Sequence, residues 1–415
     1  MEIVVERIAG LDVHKDSVVA CVRTPGERPG RRRQQVRTFG TVASELAELA
    51  AWLAAEEVGQ AVMEATGVYW KPVWYALEDS VGELVLVNAT HVKKVPGRKT
   101  DVKDAEWLAQ LGECGLLRSS FVPPEVVRDL RDLTRYRKKL IQARGQEVQR
   151  VQKLLEDAGV KLASVASDVL GVSGREMLDA LVAGQRDPAA LADMARARMR
   201  RKIPQLRQAL ATARFRDHHA WMLREHLARI DDFNAAITRL DHQVDVVITP
   251  FVEARDRLTS IPGVGKKAAE VIIAETGADM SQFPTPEHLA SWAGMCPGNK
   301  RSAGKNYSGR TPQGNAWLSG ILTECGWVVR QSRSTYLAAQ FWNIARRRGQ
   351  ERAAVAVGHS ILVIAWHIMS NPGTTYTDLG ADYFQRRVDP DRERRYLLSR
   401  LKALGLDVEL KEPAA

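Results

Sequence analysis

Apolar and polar positions alternate in short blocks along the N-terminal part of the chain. Arg7-Ile8-Ala9-Gly10-Leu11-Asp12-Val13 and, after a brief break, Ser17-Val18-Val19-Ala20-Cys21-Val22 both read as strands. Pro25, Gly26, Pro29 and Gly30 punctuate a turn, and residues 34–40 supply a third strand that closes an antiparallel meander. Residues 44–57 carry Leu46, Leu49, Trp52 and Leu53 at helical spacing. Ala61-Val62-Met63-Glu64 reads as a fourth strand, residues 69–79 as a helix, Leu84 to Asn88 as a fifth strand and residues 101–117 as a closing helix. A meander followed by alternating helices and strands predicts a mixed five-stranded sheet with helices on its faces.

Strand signals stop at residue 124. As far as residue 257 the chain is rich in Arg, Gln, Leu and Ala, and Leu223, Leu227, Ile230, Phe233, Ile237, Leu240, Val244 and Val247 recur near the 3.5-residue period of a coiled-coil seam. Val127, Leu130, Leu133, Leu140, Ile141, Val148, Val151 and Leu155 form a weaker stripe. The two stripes can close as an antiparallel hairpin within one chain or as a seam between two copies, and the pattern weighs these equally. Between them, residues 168–202 form an insertion with Arg196, Arg198, Arg200, Arg201 and Lys202 clustered. Helical periodicity broken by Gly and Pro resumes over residues 258–384, and a charged tail fills 385–415. The expected fold class is α/β followed by all-α, with domains at 1–118, 124–257 and 258–384.

Length agrees, since 415 residues at about 150 per domain suggest two or three. Sixty Lys and Arg against fifty Asp and Glu leave a formal charge of +10, which favours a polyanion and makes nucleic acid the first candidate partner. Cys21, Cys114, Cys296 and Cys325 lie too far apart for a zinc ribbon or disulfide framework. The best apolar run, residues 355–369, falls short of the roughly 20 residues a membrane span needs and holds His359 and His367. Glu2 and Glu6 occupy positions where a signal peptide carries basic residues. A cytoplasmic, nucleoid-associated protein with no membrane partner is expected.

Four acids stand out by position: Asp12 and Glu64 at strand ends, and Asp101 with Asp104 on one helix face. Any one alone would be an ordinary surface charge. An acid directly after buried strand residues is costly unless it is paired or metal-bound, and converging carboxylates repel unless a cation neutralises them. Oxygen-only ligands suit Mg²⁺ or Mn²⁺ and phosphodiester chemistry. The segment before the pair is basic, and Lys93, Lys94, Arg98 and Lys99 can hold phosphates or form a solvated loop.

Two further motifs carry chemistry. Ile261-Pro262-Gly263-Val264-Gly265-Lys266-Lys267, ahead of an apolar helix, reads as a helix-hairpin-helix. Its Gly263 and Gly265 permit a tight turn, and its N–H groups with Lys266 and Lys267 can bind phosphate. The stretch from Ala293 to Asn315 reads as a Gly-rich basic loop between helices, with Arg301, Ser302, Lys305 and Ser308 in it. By itself a serine there is a turn or phosphate contact. His14, His91, His288, His359 and His367 show no metal-ligand spacing, and Trp317, Trp327, Trp342 and Trp366 read as core.

Gly10-Leu11-Asp12-Val13-His14-Lys15, Met63-Glu64-Ala65-Thr66-Gly67 and Lys99-Thr100-Asp101-Val102-Lys103-Asp104-Ala105 resemble the signatures of the DEDD transposases of insertion elements, which share their plan with Piv-type DNA invertases. The strand order likewise matches a ribonuclease-H-like, RuvC-like fold. The resemblance covers most of the chain in order. It implies a RuvC-like catalytic domain, a coiled-coil region and a C-terminal transposase domain, with Asp12, Glu64, Asp101 and Asp104 as a metal-binding tetrad. It also implies a catalytic serine, matched by Ser302, although Ala303 stands where the family has Gly and Ser308 lies close by. By the same resemblance the partners are donor and target DNA and a bridge RNA, and the assembly is a homodimer or tetramer with serine and tetrad drawn from different protomers. A junction-resolving endonuclease would need the tetrad without the serine, and a non-catalytic nucleic-acid scaffold would need neither. A sugar-kinase or actin-like ATPase would need paired Gly-rich phosphate loops that the first domain does not show.

Overall fold

The computed structural model describes residues 3–28, 30–88, 102–211, 214–298, 300–302, 305–308, 311–386 and 389–406. The chain divides into two compact units, Met1–Val122 and Pro123–Ala415.

The first unit is built on a five-stranded mixed sheet, with β1 (Ile8–Val13), β2 (Ser17–Pro25), β3 (Arg32–Gly40), β4 (Gln60–Glu64) and β5 (Glu83–Val87) in the order β3-β2-β1-β4-β5. The β1, β2 and β3 strands form the antiparallel meander, while β4 runs parallel to both β1 and β5. Side chains alternate between faces along each strand. One face presents Ala9, Leu11, Val13, Ala20, Ala61 and Met63 to Leu46, Leu49 and Leu53 of α1 (Ala43–Ala55) and to Val73 and Leu77 of α2 (Trp70–Leu77). Ile8, Cys21, Val62, Val85 and Val87 meet Ala105, Leu108 and Ala109 of α3 (Val102–Glu113) on the opposite face. Gly10 lets α3 approach this closely: a β-carbon there would lie 2.5 Å from the Ala109 nitrogen and press into the Ala105 carbonyl.

In the second unit, α4 (Glu125–Asp157) and α5 (Asp217–Val247) pair antiparallel. The polar cross-links fix the direction: Arg137 reaches Asp241, Arg144 reaches Asn234 and the His219 ring lies beside Asp157. Leu223, Leu227, Ile230, Ile237 and Val244 are buried within this chain, so much of the stripe that could have served a second copy is already covered. Short helices between Leu162 and Leu210 fold over one end of the pair, where Leu162, Met177, Leu191 and Leu206 share a core with Val151, Leu155 and Leu223.

The chain then continues through α6 (Val252–Leu258), α7 (Lys266–Thr276) and α8 (Pro286–Trp292), and on to α9 (Ala316–Val329), α10 (Tyr336–Arg348) and α11 (Gln350–Ser370). With 21 residues α11 is long and apolar enough to cross a membrane, which corrects the expectation that no stretch reaches that length. Its Ala353, Val357, Ile361, Leu362, Ala365 and Ile368 are buried inside the unit, and half of its most apolar window is covered, as suits a core helix. The sequence also leaves the Gly-rich basic stretch as a loop. There the chain instead forms a small antiparallel hairpin, β6 (Lys300–Ser302) and β7 (Lys305–Ser308). All four cysteines are free thiols, Cys21 and Cys325 being buried.

Candidate functional site

Parallel pairing sets Leu11 opposite Met63, so Asp12 and Glu64 follow at the same level on neighbouring strands. Both lie on the face that α3 covers, because they continue the alternation of Ile8 and Gly10 and of Val62. Helix α3 runs against β1. The Glu113 carbonyl accepts hydrogen bonds from the Val4 and Val5 amides, and farther back the helix lies over Gly10 at Ala109 and Ala105. Its first turn, with Asp104, therefore lies toward the carboxyl ends of β1 and β4. Asp12, Glu64 and Asp104 share one end of one sheet face, and each is partly buried.

Two neighbours support this end. The Asp12 side chain is 13% exposed, and its Oδ2 lies 3.1 Å from His14 Nε2. Thr66 Oγ1 donates to the Val13 carbonyl at 3.0 Å, tying the turn after Glu64 to the end of the strand that carries Asp12. The sequence reading treats His14 as an ordinary histidine and gives Thr66 no role. The Asp-x-His spacing was the available signal, since residues two apart in extended chain point the same way.

Asp101, Lys93, Lys94, Arg98 and Lys99 lie outside the described residues. Among the described residues, no three His, Cys, Asp or Glu side chains stand close enough to hold a metal ion. The chemistry of the acids brought to this face is carboxylate oxygen alone, a hard donor set suited to Mg²⁺ or Mn²⁺ and poorly suited to soft metals.

The serine hairpin pairs Ser302 with Lys305 at one end of its ladder and Ser308 with Lys300 at the other, with an irregular register between Lys300 and Arg301. Arg301 faces Asn306 in the same ladder. Where the hairpin joins the helices, Gly294 and Gly314 cross backbone to backbone, and a β-carbon on Gly294 would lie 2.7 Å from the Gly314 nitrogen and 2.8 Å from the Pro312 carbonyl.

The expected phosphate-binding turn joins α6 to α7. Gly263, at φ +86°, sets its α-carbon against α9, where a β-carbon would sit 2.9 Å from the Cys325 carbonyl, so this glycine serves packing. Gly265 precedes the first turn of α7 in open space. Lys266 pairs with Asp245 at 2.6 Å and Lys267 with Asp241 at 2.8 Å, so both lysines lean on α5. Burial works against the Asp241 charge, but Lys267 and Arg137 outweigh it and hold the carboxyl below its ordinary range.

Comparison with known proteins adds a family. A transposase family model matches residues 9–159, and a model described as transposase IS116/IS110/IS902 family matches residues 255–343. The chain is 25% identical over 378 residues to the transposase for insertion sequence element IS1111A of Coxiella burnetii, across 89% of this chain and 91% of that one. It is 28% identical over 238 residues to an insertion element IS110 protein of Streptomyces coelicolor, covering 53% and 58%. A shorter match, 40% identical over 76 residues, joins it to the pilin gene-inverting protein of Moraxella lacunata, over 18% and 23% of the two chains.

Proposed function

Because the chain belongs to the IS116/IS110/IS902 family of transposases, we propose that it mobilises an insertion element by cutting and rejoining DNA with a carboxylate site and a serine nucleophile. One observation carries the proposal: Asp12 and Glu64 stand level on adjacent parallel strands, with the Asp104 turn of α3 at the same end of the same face.

Asp12, Glu64, Asp101 and Asp104 would together hold Mg²⁺ or Mn²⁺, which when bound supplies positive charge that eases deprotonation of a hydroxyl and offsets charge developing at phosphorus. His14 orients the Asp12 carboxylate, and Thr66 holds the Glu64 turn against β1. In the C-terminal unit, the Ser302 oxygen bonds to phosphorus as the bond to a deoxyribose oxygen breaks. The serine proton departs and the leaving oxygen gains one. Reversal with a new strand's hydroxyl rejoins the DNA without an outside energy source, because the phosphoserine link conserves the phosphodiester. Arg301 and Lys305 are assigned to the phosphate, with Ser308 as the rival nucleophile. The α4–α5 pair is read as the family's coiled-coil region and the α6–α7 turn as a helix-hairpin-helix that grips backbone phosphates around Gly265, Lys266 and Lys267. Donor and target sequence are left to base pairing with a bridge RNA, so that the protein needs only shape and backbone contacts. The working assembly is a homodimer or tetramer.

A recombination assay with purified protein, its copurifying RNA and both DNA partners tests this. Asp12→Asn and Glu64→Gln are expected to abolish strand exchange while leaving binding intact, chelation to stop it, and Mg²⁺ to restore it. Ser302→Ala should prevent the covalent protein–DNA adduct, whereas Ser308→Ala should retain it. Normal adduct formation in Ser302→Ala would move the nucleophile elsewhere.

A further inference from the structure

The second unit holds a buried carboxylate that the chemistry above does not use. Glu275, in the last turn of α7, is 0% exposed. Removing a carboxylate from water is costly unless it is fully paired, and Glu275 is. Arg135 of α4 donates to both oxygens, Nε to Oε1 at 2.8 Å and Nη2 to Oε2 at 2.7 Å. Asn315 Nδ2 donates to Oε2 at 2.7 Å, and Arg131 Nε stands 3.5 Å from the same oxygen. Arg131 also donates to the main-chain carbonyls of Ala274 and Glu275, at 3.0 and 2.7 Å, which have no partner within the helix. Burial pulls the Arg131 guanidinium down to about 10, which leaves it charged at neutral pH.

Asn315 connects this cluster to the hairpin. Its Oδ1 accepts from the Trp317 and Leu318 amides and so caps α9, and the residue just before it is Gly314, half of the backbone crossing from which the hairpin departs. Arg135, while holding Glu275, also lies over the Trp317 ring at 5.5 Å. An N-cap alone requires only a side-chain oxygen, and Asp or Ser serves as well as Asn. Ionised Asp cannot donate to Glu275, whereas the amide of Asn315 accepts at the cap through Oδ1 and donates to the carboxylate through Nδ2. The cap is thus built from a side chain whose two ends serve the helix and the buried anion at once.

We propose that Glu275 and Asn315, held by Arg135, are positioning residues that fix where the hairpin leaves its helical base and so aim its serine at a phosphodiester. The aiming role rests on the serine reading above; the anchoring does not. Asn315→Asp separates the two duties of Asn315, since it keeps the cap and turns the amide's hydrogen bond into repulsion between carboxylates.

The experiment uses the full chain with its copurifying nucleic acid. In Asn315→Asp, hydrogen exchange at amides 300–308 is expected to accelerate and strand exchange to slow by on the order of 10²-fold, the effect of misplacing a reacting group by about an ångström, with DNA binding unchanged. Glu275→Gln combined with Asn315→Asp swaps amide and carboxylate beside Arg135 and should recover at least about tenfold of the lost rate, as coupled neighbours do. If Asn315→Asp does not fold, Asn315→Ser, which caps without adding charge, carries the same two readouts. Wild-type hairpin exchange in the folded variant overturns the proposal whether or not the rate falls. Ser302→Ala and Ser308→Ala both retaining full rate would end the serine reading alone, since hairpin exchange in Asn315→Asp still decides the anchor.

Discussion

The acid site and the serine hairpin are held by opposite means. Asp12, Glu64 and Asp104 ride on a sheet and a helix whose mutual placement is apolar, with Ala105 and Ala109 pressed against Gly10. Shape fixes the carboxylates there. The hairpin departs from a crossing of two glycines next to Asn315, which donates to the fully buried Glu275 that Arg131 and Arg135 pair, so charge pairing fixes its base. An apolar interface degrades gradually as it is trimmed or overfilled, whereas a buried ion cluster fails when one member is removed.

That contrast can be broken from either side. Glu275→Ala, which leaves buried guanidinium without its counter-charge, should cost about 3–5 kcal/mol of stability in the second unit, read from its urea midpoint. A loss below about 1 kcal/mol would mean that water or a neighbour substitutes easily. Gly10→Ala should cost roughly 1–3 kcal/mol by forcing α3 off the sheet. Activity should fall further than stability accounts for, because Asp104 moves with the helix; an unchanged rate would show that α3 placement does not matter to the acids.

The smallest effect concerns acid. Asp241 has its carboxyl held down in the folded state, so its pairing contributes fully above the ordinary carboxylate pKa of about 3.9 and is lost as pH falls below it. Asp241→Asn should therefore narrow the gap between urea midpoints at neutral and strongly acidic pH by less than about 1 kcal/mol, since the side chain is one-third exposed. A mutant with an unaltered gap would show that Arg137 and Lys267 find other partners.

How much was legible in the sequence follows the same division. The order of strands and helices in the first unit and the strand-end positions of Asp12 and Glu64 could be read directly, because period and punctuation are local properties. The approach of α3 to Gly10 could not, since a glycine in a strand marks close contact without naming the partner. The stripe on α5 was equally compatible with one chain or two; the same period serves both, and only the tertiary links to α4 decide that these residues are covered internally. The hairpin hid behind Lys, Arg, Asn and Ser, residues of weak strand preference for which backbone pairing rather than side-chain pattern defines the ladder. Arg135 and Glu275 stand 140 positions apart, and no local rule connects them.

The parallel register of β1 and β4 sets a phase for the whole carboxylate-bearing end. Deleting one residue within β4, upstream of Glu64, would rotate that carboxylate through half a turn into the apolar layer of Leu46, Leu49 and Leu53. The connection between α1 and β4 can drift in length, but the count from Gln60 to Glu64 cannot, which makes that short strand a ruler for any redesign of this carboxylate face.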